Sequence, residues 1–482
     1  MLFFEIQRLF KVISSDVRVR LMAPPFVFAS VMFETIFSQN IVSDTIFHEV
    51  DRKETLFSIS QKYNINVNDI LELNPKLKNS RLRRRSTILI PVFNSIQDVI
   101  KIEKDSIEIS YNISKLDSIY SKKRKKNNQL NLSVLLPFRS ATINYDSINE
   151  VESLFEDRNL YTIALDFYSG ILYAVEDLKK LNISVKLNVF DTENSVNKIL
   201  EISNNTQIIN SDLVIGPLIP RNFETLSNLE FLESIPKVFP LSTIPIKIIK
   251  GVVLAVTPRN LLRETMLDYL DKKIDRDENI VIIADSLNEE IDNRLTKIFP
   301  NSIKIKPEFE GYILPELLDS LLVDSLPNKV IIESEIFTLI SSVISQLNSQ
   351  ITSERDVRLY TTYRGNQYDD PSINVKDLGN LGFTYTSISK KINNDSISQF
   401  ESNYINLFGS FPNKDVIRGY DVAKDIILRV LIDNNLNKTV KYDEQLYTES
   451  KFSYKIDSLG GLYNSAIYIL KHKDYDLEEI ID

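Results

Sequence analysis

Apolar residues recur at different periods in different parts of the chain, and the change of period divides it. In residues 48–91, Leu56, Ile59 and Tyr63 stand at i, i+3 and i+7, one face of a helix opened by Glu54-Thr55-Leu56 with Thr55 as its N-cap. Ile70, Leu71 and Leu73 mark a second helix, which Asn74-Pro75 stops. A short extended segment at Val50 comes before, and Ile88-Leu89-Ile90 closes the stretch as a strand ahead of Pro91. The order is strand, helix, helix, strand. Leu56, Ile59, Tyr63, Ile70 and Leu73 form its core, so any chemistry belongs to the loops.

From Leu130 the pattern becomes an alternation of strands and helices. Leu130 to Leu136 is nearly continuous apolar sequence, as expected of a strand at the centre of a parallel sheet. Helices are predicted over 166–181, 195–204, 261–270, 314–322 and 336–347, and strands over 185–191, 213–215, 237–240, 280–284, 330–332 and 357–360. Repeated βαβ winding gives parallel sheets with helices on both faces, and about 350 residues exceed what one such sheet needs. Two lobes are expected. Residues 93–129 connect the two regions; Ile107, Ile109, Tyr111 and Ile113 alternate with polar residues as in one extended segment, and the basic run Lys122 to Lys126 reads as a solvated linker.

Charge adds an asymmetry. Residues 48–91 hold nine Lys and Arg against five Asp and Glu, a net +4, whereas the whole chain carries −9, which leaves −13 for the rest. A basic anchor and an acidic body are implied, with no case for nucleic acid as a partner. Cysteine is absent, which removes disulfides, thiolate metal sites, a cysteine nucleophile and a lipid-bearing cysteine anchor. Residues 1–39 read as a targeting segment: Arg18 and Arg20 precede an apolar run over 21–37, with Ser38 as a small residue for cleavage. A run of that length is short for a membrane span, so no stable span is expected after cleavage. Pro24, Pro25 and Glu34 interrupt the run, and a buried N-terminal helix is the other reading.

The segment His48-x-Val50, Glu54-Thr55-Leu56, Ile59, Tyr63, Asn74-Pro75, Leu82 and Ile88-x-Ile90-Pro91 resembles the LysM family, small modules that bind N-acetylglucosamine-containing glycans such as peptidoglycan. Lys53 and Arg85 replace two family glycines. The resemblance implies a LysM domain over 47–92 with a glycan groove between two loops, here Asp51, Arg52, Lys53, Glu54, Thr55 and Leu56 on one side and Asn74, Pro75 and Leu77 on the other.

Farther on, the strand ending at Pro137, the run from Phe167 to Leu178, Val189-Phe190-Asp191-Thr192 and Leu213-Val214-Ile215-Gly216-Pro217 resemble the type I periplasmic binding proteins. Phe400-x-x-x-Tyr404-x-x-x-Phe408-Gly409-x-x-Pro412, then Gly419-Tyr420-Asp421-Val422-Ala423, is similar to the amino-acid-binding members. The implied fold class is α/β: a small βααβ module plus a two-lobed, doubly wound parallel-sheet domain over 130–482, with a cleft at the carboxyl ends of the strands. Its implied ligand residues are Phe138, Arg139, Gly216, Pro217, Leu218, Arg221, Ser242 and Thr243. The loop at Gly216-Pro217-Leu218-Ile219-Pro220 offers no hydroxyl, and its two prolines remove two donors. Ser242 and Thr243 either meet a ligand or cap the next turn. Residues 139–162 are expected to form a long acidic loop at the cleft mouth, which either covers the cleft or meets a protein. Leu181-Asn182-Ile183-Ser184 stands where transport members carry a Gly-Gly turn, and in that respect the chain is more similar to envelope relatives that activate cell-wall synthases.

Catalysis finds little support. The two histidines are His48, at the entry of the first module, and His472, in a charged tail, and no motif selects a carboxylate pair from 66 acidic residues. Tyr420 and Asp421 read as helix-start packing and capping. No cofactor, metal or catalytic residue is expected. The sequence predicts a non-enzymatic, peptidoglycan-associated periplasmic protein whose partners are the glycan and either a small polar ligand or a wall synthase. The competing classes are a solute receptor for amino-acid-like ligands of an ABC transporter and a peptidoglycan hydrolase.

Overall fold

A computed structural model describes residues 41–50, 59, 74, 87–94, 115–123, 129–144, 146–156, 158–307, 311–390 and 397–481. The chain divides into a small unit within Pro25–Asn112 and a large one that takes in Ile113–Asp482. In the small unit β1 (Ile41–Glu49) pairs antiparallel with β2 (Thr87–Asn94), with Phe47 opposite Leu89 and His48 opposite Ile88. Val50, Ile59 and Ile88 are buried. The segment expected to target the chain, the expected extended segment at 107–113 and, apart from Val50, Ile59 and Asn74, the residues between the two strands lie outside the described residues.

The large unit begins earlier than the sequence pattern indicates. The end of the expected linker is a helix, α1 (Lys115–Lys123), whose Leu116 and Tyr120 enter the main core. Tyr120 and Leu116 are i, i+4 partners on one face, a period that the charged residues around them dilute. Strand β3 (Gln129–Leu136) follows, with Leu132, Val134 and Leu136 turned to one face of the sheet and Leu135 to the other. The segment expected as a long loop folds instead: α2 (Ile148–Glu156) buries Val151 against the core, and α3 (Leu160–Leu178) starts six residues before its apolar pattern does. Asn159 and Thr162 form a capping box, each side chain taking the other's backbone N–H, and that fixes the start.

Strands β4 (Ser184–Asp191), β5 (Leu213–Ile215), β6 (Lys237–Phe239) and β7 (Val252–Leu254) build the first lobe in the order β4-β3-β5-β6-β7, all parallel. Helices α4 (Val196–Ser203) and α5 (Pro220–Ser227) cover one face. In the second lobe β8 (Asn279–Ala284), β9 (Ile303–Ile305), β10 (Asn328–Glu333), β11 (Val357–Tyr360) and β12 (Thr384–Ser387) run in the order β9-β8-β10-β11-β12, again parallel. Helices α6 (Arg259–Lys273) and α7 (Glu289–Ile298) pack on one face, and α8 (Pro315–Leu321), α9 (Phe337–Ser349) and α10 (Val375–Asn380) on the other. The chain then returns to the first lobe through α11 (Gln399–Phe408) and α12 (Lys414–Ile432). It crosses once more to add antiparallel strands at the edge of the second sheet, Tyr468–Lys473 and Asp476–Glu479.

Helix α12 is buried along almost its whole length against α3. Two glycines make the approach possible. A Cβ on Gly170 would lie 2.0 Å from the carbonyl oxygen of Val416, and one on Gly419 would lie 2.2 Å from that of Phe167. Backbone meets backbone at both points, so no rotamer change relieves the overlap. Gly170→Ala and Gly419→Ala are each expected to lower the unfolding free energy by about 3 kcal/mol, an overpacking cost at the upper end of the usual range. Urea denaturation measures it; a loss below about 0.5 kcal/mol for either variant would show that the two helices separate at little cost.

Candidate functional site

In the small unit the glycan-groove residues Asp51, Arg52, Lys53, Glu54, Thr55, Leu56, Pro75 and Leu77 lie outside the described residues. Asn74 serves the fold: its amide donates to the carbonyl of Leu89 at 2.7 Å and its carbonyl accepts the Leu89 N–H at 2.9 Å. Both polar groups of the side chain are thereby used in pairing with β2, which ties the turn to the strand.

In the first lobe the strand-end loops bond mainly to their own backbone. Phe138 is buried in the core, edge-on to Tyr168 at 5.7 Å. Arg139 holds φ 48°, and its N–H goes to Asp191 Oδ1 at 2.9 Å, while its guanidinium covers the Tyr161 ring. Asp191 also accepts the N–H and hydroxyl of Ser140 and the N–H of Glu193. The donors that a strand-end loop could present to a ligand carboxylate are therefore taken by one internal carboxylate. Gly216, at φ 91°, lets the loop pass against Leu135, whose carbonyl oxygen would lie 2.2 Å from a Cβ there. Its N–H bonds Val238 O. Pro217 and Leu218 are buried, Leu218 in the core, whereas Arg221 is exposed on α5.

Ser242 and Thr243 bond in different directions. Ser242 Oγ accepts the N–H of Ile244 and caps the turn. Thr243 reaches the other lobe, its hydroxyl 3.0 Å from that of Tyr363. Tyr363 follows β11 and lies beneath the Arg259 guanidinium at 4.1 Å, which itself pairs with Glu335. Behind them Arg263 donates to Asn288 and lies 3.8 Å from Glu333. Glu333 is buried, and burial raises its pKa against the pull of Arg263 and of the Thr362 N–H and hydroxyl. Arg259, Arg263, Glu333 and Tyr363 escaped the sequence reading. For Glu333 and Tyr363 a signal is present: the polar runs Glu333-Ser334-Glu335 and Thr361-Thr362-Tyr363-Arg364 stand at the carboxyl ends of apolar strands of a parallel sheet, where such folds place sites, whereas Arg259 and Arg263 lie on α6 with no such signal.

A second interlobe region is an open pocket of about 430 Å³, lined by Arg158 and Lys414 of the first lobe and by Phe337, Asn366, Gln367, Asp369 and Asp370 of the second. Lys414 bridges to Asp369 at 3.0 Å, and Arg364 holds the same carboxylate at 2.7 Å. Arg158 grips Asp415 through Nε and Nη2 at 2.8 and 2.9 Å. None of the expected cleft residues lines this pocket.

Tyr420 and Asp421 are interior to α12 and do not begin it, the cap being Asn413. Tyr420 donates to Asp177, which Lys424 also holds. The Asp421 carboxylate accepts the N–H groups of Thr448, Glu449 and Ser450 at 3.0–3.1 Å. Among the described residues no group of His, Cys, Asp and Glu has the arrangement of a metal site, and no helix is long and apolar enough to cross a membrane.

Residues 48–91 match the family model described as "LysM domain", so the chain carries a LysM domain there. The large unit has the two-lobed fold of the type I periplasmic binding proteins. It aligns with a branched-chain amino acid ABC transporter protein from Rhodospirillum rubrum at 12% identity, over 73% of this chain and 100% of that one, with a TM-score of 0.50. Two further similar structures are an ABC transporter substrate-binding protein from Desulfitobacterium hafniense in complex with Leu (16% identity, 73% and 100% covered, TM-score 0.44) and full-length LpoA from Haemophilus influenzae (13%, 80% and 65%, TM-score 0.47). No curated protein matches the chain in sequence.

Both histidines are buried. His472 lies on a strand and not in a tail, stacked on Phe383 and tilted against Tyr385, and both ring nitrogens lack partners among the described residues. Burial, aided by Arg364, pushes its pKa down to about 4 from 6.5. The unfolded chain then binds the extra proton between those values, so stability is full above pH 6.5 and falls as pH drops towards 4. The expected loss is up to about 3 kcal/mol at pH 4. His472→Phe should flatten that part of the stability profile; an unchanged slope in the variant would assign the loss to other groups.

Proposed function

We propose that the chain is a wall-anchored, non-enzymatic receptor of the cell envelope, in which the LysM domain holds peptidoglycan and the two-lobed domain senses or presents. The match at residues 48–91 supports the tether, and the basic balance of that stretch, with Lys53 and Arg85 in place of glycines, fits a partly electrostatic hold on the wall. The observation that carries the role of the large domain is the internal use of its strand-end donors. Asp191 takes those of the first loop, the second loop has no hydroxyl, and Thr243 bonds Tyr363. A receptor that captures free amino acids needs those groups for the ligand carboxylate, because a desolvated charge must be met by several donors. A tethered receptor also forgoes the diffusion on which delivery to a transporter depends. The domain is accordingly read as regulating wall-building machinery, outside the membrane, in place of feeding a transporter.

Two outcomes test this. The full chain should sediment with isolated peptidoglycan at low salt and be partly released as salt rises, and deletion of residues 48–91 should leave it in the supernatant; a deletion variant that still pellets would move the wall contact to the large domain. In thermal-shift measurements no single free amino acid should stabilise the chain. A ligand at one hundred times its Kd would add about 2.7 kcal/mol, so a true solute would be seen and would restore the transport-receptor reading.

A further inference from the structure

The charges lining the interlobe pocket are sorted by lobe. Both cations, Arg158 and Lys414, come from the first, and both carboxylates, Asp369 and Asp370, from the second. Each side keeps bonding capacity. Arg158 uses Nε and Nη2 on Asp415, which leaves Nη1 without a partner among the described residues, and its side chain is about half exposed. Lys414 gives one bond to Asp369 and is equally exposed. Asp370 uses only Oδ1, on the N–H and hydroxyl of Ser372. The carboxamides of Asn366 and Gln367 make no hydrogen bond among the described residues, and Phe337 adds an apolar surface at the start of α9, a helix with no side-chain cap.

A monopolar ligand suits such a pocket poorly. An anion drawn to Arg158 and Lys414 meets Asp369 and Asp370, and a cation meets the reverse, whereas a molecule with opposite charges at its two ends satisfies both lobes and bridges them. Free carboxamides complement amide groups, each supplying a donor and an acceptor. We infer that this pocket binds a short peptide with free termini, its carboxylate at Arg158 and Lys414 and its ammonium at Asp370, with Asn366 and Gln367 meeting peptide amides. The volume falls in the range of small-molecule sites. Such a peptide adds a bridge between the lobes beside that of Lys414 and Asp369. The inference rests on the receptor reading for the cleft as a recognition surface, and it is independent of the wall tether, which sedimentation tests separately.

Calorimetric titration of the full chain with trialanine, its N-acetyl form, its C-terminal amide and free alanine tests the site. Trialanine should bind, and blocking either terminus should weaken binding about tenfold or more, the value of one charge-assisted bond. Asp370→Asn, an exposed loop change, should abolish the penalty of acetylation but keep that of amidation, and Lys414→Gln, a half-exposed change that leaves the Arg158–Asp415 pair intact, should shrink the penalty of amidation but keep that of acetylation. The proposal is overturned if trialanine gives no binding heat, if the blocked peptides or free alanine bind as tightly as trialanine, or if Asp370→Asn leaves the ratio of free to acetylated peptide unchanged.

Discussion

Charge buried within α12 is the constraint on which the large domain depends. The helix packs on all sides, yet its sequence includes Asp415, Arg418, Asp421, Asp425 and Arg429, all buried. A buried charge survives only with bonded partners. Asp415 has Arg158, and Asp425 has Arg429 at 2.8 Å with the Tyr447 hydroxyl beside them. Arg429 also reaches the carbonyl of Thr439 and lies against the Tyr454 ring. Arg418 reaches the carbonyl of Ile388, in a segment that crosses between the lobes. Asp421 takes three successive N–H groups at 448–450, and Ser450 and Glu449 pair in turn with Ser389 and with the N–H of Lys390. The polar side chains of one helix thus fasten the first lobe to the crossing strands, while Gly170 and Gly419 let its backbone reach α3.

With the crossing segments fixed in this way, contact across the cleft is limited to what the loops present. Thr243 with Tyr363 and Lys414 with Asp369 join the lobes directly. Each bond is small on its own, and exposed pairs such as Lys414 with Asp369 contribute little individually. Their combined effect is on position: they hold the strand-end loops face to face, with the donors of the first lobe already engaged by Asp191. Recognition is then left to groups with free capacity, which gather at Arg158, Asn366, Gln367 and Asp370.

The repeated winding and both sheets were legible because apolar strands such as Leu132 to Leu136 and Val330 to Ile332 are covered on both faces and read as continuous runs. The strand Ile303–Ile305, three residues at a sheet edge with two of them exposed, carries too few apolar positions for a period to register. The apolar pattern of α3 begins after the helix does because its first turn is set by the capping box of Asn159 and Thr162, not by hydrophobic spacing. The candidate site was less legible. Family correspondence pointed to Phe138 and Leu218, which the core absorbs, while Arg158 and Lys414 meet Asp369 and Asp370 only through folding, more than 40 residues apart in the nearest case and over 200 in the farthest. No local pattern encodes such a meeting.

The claim that the lobes hold themselves together is tested most directly by an interlobe distance. The chain has no cysteine, so Glu230→Cys on the first lobe and Asn293→Cys on the second place two spin labels without competition. In the absence of any added ligand, pulsed electron paramagnetic resonance should show one narrow distance distribution, which lengthens and broadens when Tyr363→Phe and Asp369→Asn are combined. A broad, long distribution in the unaltered chain, unchanged by the two substitutions, would contradict the account.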